Sequence, residues 1–142
     1  MEYKEYKINI FDLIICGPQN HYIPGENVIK HIEKHGIWAP LETKYLTQSL
    51  SESDKNNLTF VDVGSNSGYF TLIALKMGFN VIAIEANPVH KQYLMKSIEL
   101  NNLDVSKLTY IEKFVSDNNN ITRFDGWTGV DKIKTDKNNY FE

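Results

Sequence analysis

Between residues 62 and 71 the chain reads Asp-Val-Gly-Ser-Asn-Ser-Gly-Tyr-Phe-Thr, the stretch whose residue types and spacing bear most directly on chemistry. Gly64 lets the backbone turn sharply and lets a ligand approach without a Cβ in the way, while Gly68 permits close packing where a helix begins. The first N–H groups of that helix are expected to be free for a negative group, here a carboxylate. Asp62 serves either as an acceptor that holds the turn or as a ligand contact, and the two roles are compatible. Glu85 follows Gly64 by 21 positions, close to the about 20 at which nucleotide-binding α/β sheets set an acid against ribose hydroxyls. One ionised carboxylate accepts from two hydroxyls at once. The bland alternative for Glu85 is a surface acid at a strand end. The spacing is Gly-x-x-x-Gly, with Asn66 in the place of the middle glycine of the dinucleotide fingerprint. A pyrophosphate cradle, and with it a nicotinamide-dependent oxidoreductase, therefore ranks lowest.

A glycine turn of this kind needs a strand before it and a helix after it. Leu58 to Val63 is a short β-branched and apolar run of the kind buried on both faces of a parallel sheet. Tyr69 to Met77 reads as a helix with Gly78 as its left-handed stop, and Val81 to Ile84 as a second buried strand. Asn87 then caps and Pro88 opens a helix whose apolar residues Val89, Tyr93, Leu94, Ile98 and Leu100 recur at helical spacing up to Asn101-Asn102. A third strand fits Leu108 to Val115. Strand, helix, strand, helix, strand predicts an α/β fold with a parallel sheet and right-handed crossovers.

Upstream, Tyr6 to Ile10 and Leu13 to Ile15 read as two strands of a small hairpin, with turns at Gly17-Pro18 and Pro24-Gly25. Asn27 caps a short helix through Val28, Ile29 and Ile32 that Gly36 stops, and Leu41, Tyr45, Leu46 and Leu50 recur at helical spacing after Pro40. Residues 51–57 form a polar connector. The expected division is an N-terminal extension over 1–56 and a Rossmann-like cofactor-binding half-domain with a polar tail over 57–142.

The charge balance, Lys+Arg 15 against Asp+Glu 18 for a net of -3, offers no basic field for nucleic acid or an anionic membrane. No run approaches the roughly 18 apolar residues of a membrane helix, and the start lacks a signal peptide's pattern, so a cytoplasmic location is expected. Cys16 is the one cysteine, which excludes an intrachain disulfide and a thiolate zinc site and reads as a small hydrophobe. His21, His31, His35 and His90 show no metal-ligand spacing and are expected at the surface; no metal is expected. Trp38 and Trp127 read as core or lid residues, and Lys132, Lys134 and Lys137 as a solvated tail.

Two motifs in register resemble the class I S-adenosylmethionine-dependent methyltransferases, and within them the FkbM type. A first motif in the style D-V-G-A-N-x-G-Y-F-T-L is matched by Asp62 to Leu72, and an apolar strand ending in E-x-N-P by Val81 to Pro88. Weaker similarity reaches back to Gly36–Glu42 and forward to Val115-Ser116-Asp117, covering roughly residues 20 to 125. The resemblance implies a Rossmann-like fold and S-adenosylmethionine as cofactor. Asp62, Gly64, Ser65 and Gly68 would shape the pocket for its methionine part, with Asn66, Tyr69 and Phe70 in the same cofactor-binding set. Glu85 would hold the ribose hydroxyls, Ala86 and Asn87 would flank the adenosine, and Ser116 or Asp117 would sit near the adenine edge. The implied reaction is O-methylation of a sugar or another small hydroxyl acceptor, with no nucleic acid or membrane partner.

The family sheet has seven strands, whereas this chain holds 27 residues after its third expected strand. Ile133-Lys134-Thr135-Asp136 matches the fourth-strand style I-K-I-D-V-E-G only in part and reads as a chance match in a polar tail. No residue can be assigned the base that a hydroxyl acceptor needs, so the catalytic residues stay unknown. A truncated sheet leaves an open edge, for which a second copy or a companion chain is the expected complement. The alternative function is a non-catalytic relic or interaction subunit that needs such a partner.

Overall fold

The computed structural model describes residues 2–19 and 27–115. The expected features at His21, Pro24-Gly25, Ser116, Asp117, Trp127, Lys132 and 133–139 lie outside these residues. Lys4–Ile8 (β1) and Leu13–Gly17 (β2) pair antiparallel, with Tyr6 opposite Ile15 and Ile8 opposite Leu13, so these four buried side chains share one face. The hairpin is the one expected, but its first strand begins earlier. Residues 10–12 form a 3-10 turn in which Phe11 and Asp12 take φ of 55° and 54°.

Asn27–His35 (α1) and Pro40–Ser51 (α2) are the two expected helices. Ile29 and Ile32 of α1 are buried, and Ile29 fills the space over Gly17, where a Cβ would lie 2.8 Å from it. α2 presents a different face from the one its leucines suggest. Thr43 and Leu50 are buried, whereas Leu41 and Tyr45 are 67% and 66% exposed. At about 100° per residue the latter pair stands opposite Thr43. The Thr43 hydroxyl donates to the Trp38 carbonyl at 2.7 Å and lies 3.3 Å from the Tyr69 hydroxyl, and these polar contacts set the buried side.

Thr59–Val63 (β3), Tyr69–Lys76 (α3), Asn80–Ile84 (β4), Pro88–Leu100 (α4) and Leu108–Ile111 (β5) alternate as expected. The three strands form a parallel sheet in the order β3-β4-β5, with Val61 beside Ile82 and Val63 beside Ile84. This is the α/β architecture read from the sequence. Two expectations fail in detail. β3 is not buried on both faces: α3 covers the side of Phe60 and Asp62, while Val61 and Val63 on the other side are 51% and 60% exposed. The third strand ends at Ile111 and not at Val115, because the consecutive charged residues Glu112 and Lys113 break the apolar alternation.

The hairpin is fastened to the α/β unit by side chains at the C-terminal end of α4 and at its cap, Asn101, that take the place of a strand partner. Asn101 accepts from the Ile14 N–H at 2.8 Å and donates to the Ile14 carbonyl at 2.6 Å, and the Ser97 hydroxyl accepts from the Cys16 N–H at 2.8 Å. One apolar cluster consequently runs from Ile8 and Ile15 through Ile29 to Leu72, Ile73 and Leu94. Among the described residues no helix is long and apolar enough to cross a membrane. Asn101→Ala leaves a donor and an acceptor of β2 without partners, and we expect a loss of about 2 kcal/mol in urea unfolding. An unchanged midpoint would show that these bonds do not hold the hairpin.

Candidate functional site

The two loops that leave the carboxyl ends of β3 and β4 meet, which is where open parallel sheets bind ligands. The N–H groups of Gly64 and Ser65 both donate to the Ile84 carbonyl, at 2.8 and 3.1 Å, and draw the glycine turn over the end of β4. Within the turn every second residue is left-handed: Gly64 at φ +76°, Asn66 at +50° and Gly68 at +90°. Asn is among the few side chains that enter this region readily, so Asn66 can stand where the dinucleotide fingerprint has glycine. A Cβ on Gly68 would run into Leu94, which is the close helix packing expected there. A Cβ on Gly64 would meet nothing within 4 Å. Gly64 is thus required by its backbone angle, and the space beside it is open.

The amides within the turn itself are all engaged. The Asn66 N–H donates to Glu85 Oε2 at 2.9 Å, the Ser67 N–H to Asn66 Oδ1 at 2.6 Å and the Gly68 N–H to the Ser65 carbonyl at 2.8 Å. With Gly64 and Ser65 bonded to Ile84, each amide from 64 to 68 has an acceptor.

Glu85 ties the loops together. Its Oε2 takes the Asn66 amide, and its Oε1 takes the Asn87 amide at 2.8 Å and lies 3.8 Å from His90 Nδ1. Burial pushes the carboxyl up, but His90 and the amides of Asn87 and Asn66 together bring it below its ordinary value, so it is ionised at neutral pH. Two amides occupy two of its about four lone-pair positions and leave room for hydroxyls. Asn87 is buried and caps α4 by accepting from the Val89 N–H at 3.0 Å, with the half-buried Ala86 between it and Glu85.

Asp62 is 8% exposed, and its Oδ2 accepts from the Thr71 hydroxyl at 2.6 Å. Burial raises its pKa, and the nearby Glu85 charge adds to this, against the lowering effect of the Thr71 hydroxyl and amide. Tyr69 is buried with its hydroxyl toward α2, and Phe70 lies edge-on to it with ring centroids 5.2 Å apart. The hydroxyls of Ser65 and Ser67 are buried and have no hydrogen-bond partner among the described residues.

Three residues near this site were not legible in advance. Thr71 stands at the third helical position, facing Asp62. His90, expected at the surface, is 6% exposed, because the third position of α4 turns it under toward Glu85. Tyr110 on β5 has a buried hydroxyl whose pKa is pushed up by burial and by the carboxylates of Glu85 and Glu112. An acid followed nine positions later by Thr at a helix start is the one signal that could have found Thr71. Cys16 is buried with its thiol pushed up by burial, as befits a small hydrophobe.

No protein-family model matches the chain. The ribosomal protein L11 methyltransferases of Clostridium perfringens strains SM101 and 13 are 29% identical over 114 residues, 75% of this chain and 36% of theirs. The chain thus spans about a third of the length of these relatives. The S-adenosylmethionine-dependent methyltransferase of Agrobacterium tumefaciens superimposes with a TM-score of 0.58 at 12% identity, over 79% of this chain and 33% of that one. A weaker superposition, TM-score 0.48 at 19% identity, covers 78% of this chain and 23% of the Pyrococcus abyssi tRNA (uracil-54, C5)-methyltransferase in complex with S-adenosyl-L-homocysteine. The sequence relatives are named as methyltransferases and the Agrobacterium protein shares the fold; neither singles out the FkbM type. They also correct the expected partners. A small-molecule acceptor to the exclusion of macromolecules does not stand, since the relatives are named for a ribosomal protein.

The buried Asp62 carboxylate yields a stability test. Its raised pKa means that the unfolded chain ionises first as pH rises past the ordinary carboxylate value, so ionisation costs stability, fully so above the folded pKa. Asp62→Asn should raise the thermal midpoint by ~2 °C at neutral pH and by nothing well below the ordinary carboxylate pKa. A lower midpoint at neutral pH would contradict this assignment.

Proposed function

We propose that the chain is the cofactor-binding portion of an S-adenosylmethionine-dependent methyltransferase. The observation that carries this is the pair of acids at adjoining strand ends, Asp62 and Glu85, beside the open space at Gly64. Such a site suits a ligand with an ammonium at one end and a vicinal diol at the other. Asp62 would face the amino-acid end, Ser65 and Gly64 would border the thioether region, and Glu85 would accept the ribose hydroxyls. Ala86 and Asn87 would border the adenosine, and Ser116 or Asp117 complete this proposed set. When bound, S-adenosylmethionine supplies an electrophilic methyl group on a sulfonium. The chain's own part is to hold and orient it.

In this reading residues 57–142 carry the cofactor and residues 1–56 brace them, and the FkbM type is supported by the two motifs at Asp62–Leu72 and Glu85–Pro88. We extend to the acceptor the class of substrate in the relatives' name, a protein. A cytoplasmic location belongs to the same proposal.

Calorimetric titration of the chain tests it, with S-adenosylmethionine and S-adenosylhomocysteine as ligands and NAD as control. Saturable binding of the first two alone is expected, weakened at least about tenfold by Glu85→Ala, which removes charge-assisted hydrogen bonds. A folded chain that binds neither, or binds NAD equally, overturns the reading.

A further inference from the structure

We infer that Thr71 is a positioning residue of this site: its hydroxyl engages one oxygen of the Asp62 carboxylate and so presents the other to the ligand. A Thr hydroxyl inside a helix commonly turns back to a carbonyl of the preceding turn. That of Thr71 instead reaches across to the strand end, 2.6 Å from Asp62 Oδ2, the length of a charge-assisted O–H···O bond. Thr71 is 0% exposed, so water cannot replace the bond. The Thr71 amide favours the ionised carboxylate as well, so one residue holds Asp62 twice. A carboxylate fixed in this way offers one oriented acceptor, which suits a single ammonium group such as the amino-acid end of the proposed cofactor.

The inference rests on the cofactor reading of Asp62 given above. The charged group that acts on Asp62 is Glu85, whose carboxylate opposes its ionisation; the hydroxyl and amide of Thr71 favour ionisation. Removing the hydroxyl should therefore do two things at once: leave the carboxylate held by the amide alone, so less well oriented, and make it harder to ionise. A ligand that needs the ionised carboxylate then binds only at higher pH.

The experiment is calorimetric titration with S-adenosylhomocysteine between about pH 5 and 8, on the unaltered chain, Thr71→Val and Thr71→Ser. Valine keeps the shape and loses the hydroxyl. The expected result for Thr71→Val is binding weakened roughly tenfold at neutral pH, with the acid limb of the profile moved to higher pH. Thr71→Ser should restore both to within about twofold. If Thr71→Val does not fold, Thr71→Ala, which also lacks the hydroxyl, takes its place with the same expectation. On an Asp62→Asn background the loss of the hydroxyl should add nothing. Variants without the hydroxyl that bind like the unaltered chain, with the acid limb in place, overturn the inference alone. Failure of the unaltered chain to bind overturns the cofactor reading beneath it.

Discussion

The site depends on the Glu85 carboxylate. Two loops leave adjacent parallel strands, and a single side chain accepts an amide from each, Asn66 on one side and Asn87 on the other. Without it the half-buried Asn66 amide would lose its acceptor, in a turn already held at three left-handed residues. The same carboxylate keeps lone pairs for hydroxyl groups, so what shapes the pocket can also read a ligand. That double use explains why an acid and not an amide suits this position: Gln would accept at one oxygen only.

Around this tie the structure tolerates a costly arrangement, a buried carboxylate, Asp62, whose ionisation the Glu85 charge opposes. The environments of these two acids move them in opposite directions. Glu85 gathers amides and the neighbouring imidazole and ionises readily, while Asp62, more deeply placed and less well supplied, resists ionisation. The rest of the chain supplies rigidity for this pair. α3 is pressed against α4 at Gly68, and α4 in turn grips the hairpin through Ser97 and Asn101. The N-terminal elements thus help to fix α4, whose first turn carries Asn87 and His90.

Much of this is legible in the sequence because it is local. The βαβαβ order follows from the length and spacing of apolar runs, and the strand and helix bounds near the site follow from Gly68, Gly78, Asn87 and Pro88. What escapes is set by contacts between distant residues. Leu41 and Tyr45 repeat as a buried face would, yet Thr43 decides the packing through Trp38 and Tyr69. β3 has the composition of a doubly buried strand while its Val61 and Val63 face stays open. The amides of the glycine turn are engaged by Ile84, Glu85 and the turn itself, which sequence spacing cannot show. The acceptor is misjudged for a further reason: its chemistry lies outside the residues proposed for the cofactor.

The most direct measurement is an amide-resolved NMR titration of the chain with S-adenosylhomocysteine. The account predicts saturable shifts centred on residues 62–71 and 85–87, with the Asn66 and Asn87 amides among the largest because both donate to Glu85. Shifts confined to another surface, or no shifts in a folded chain, would contradict it.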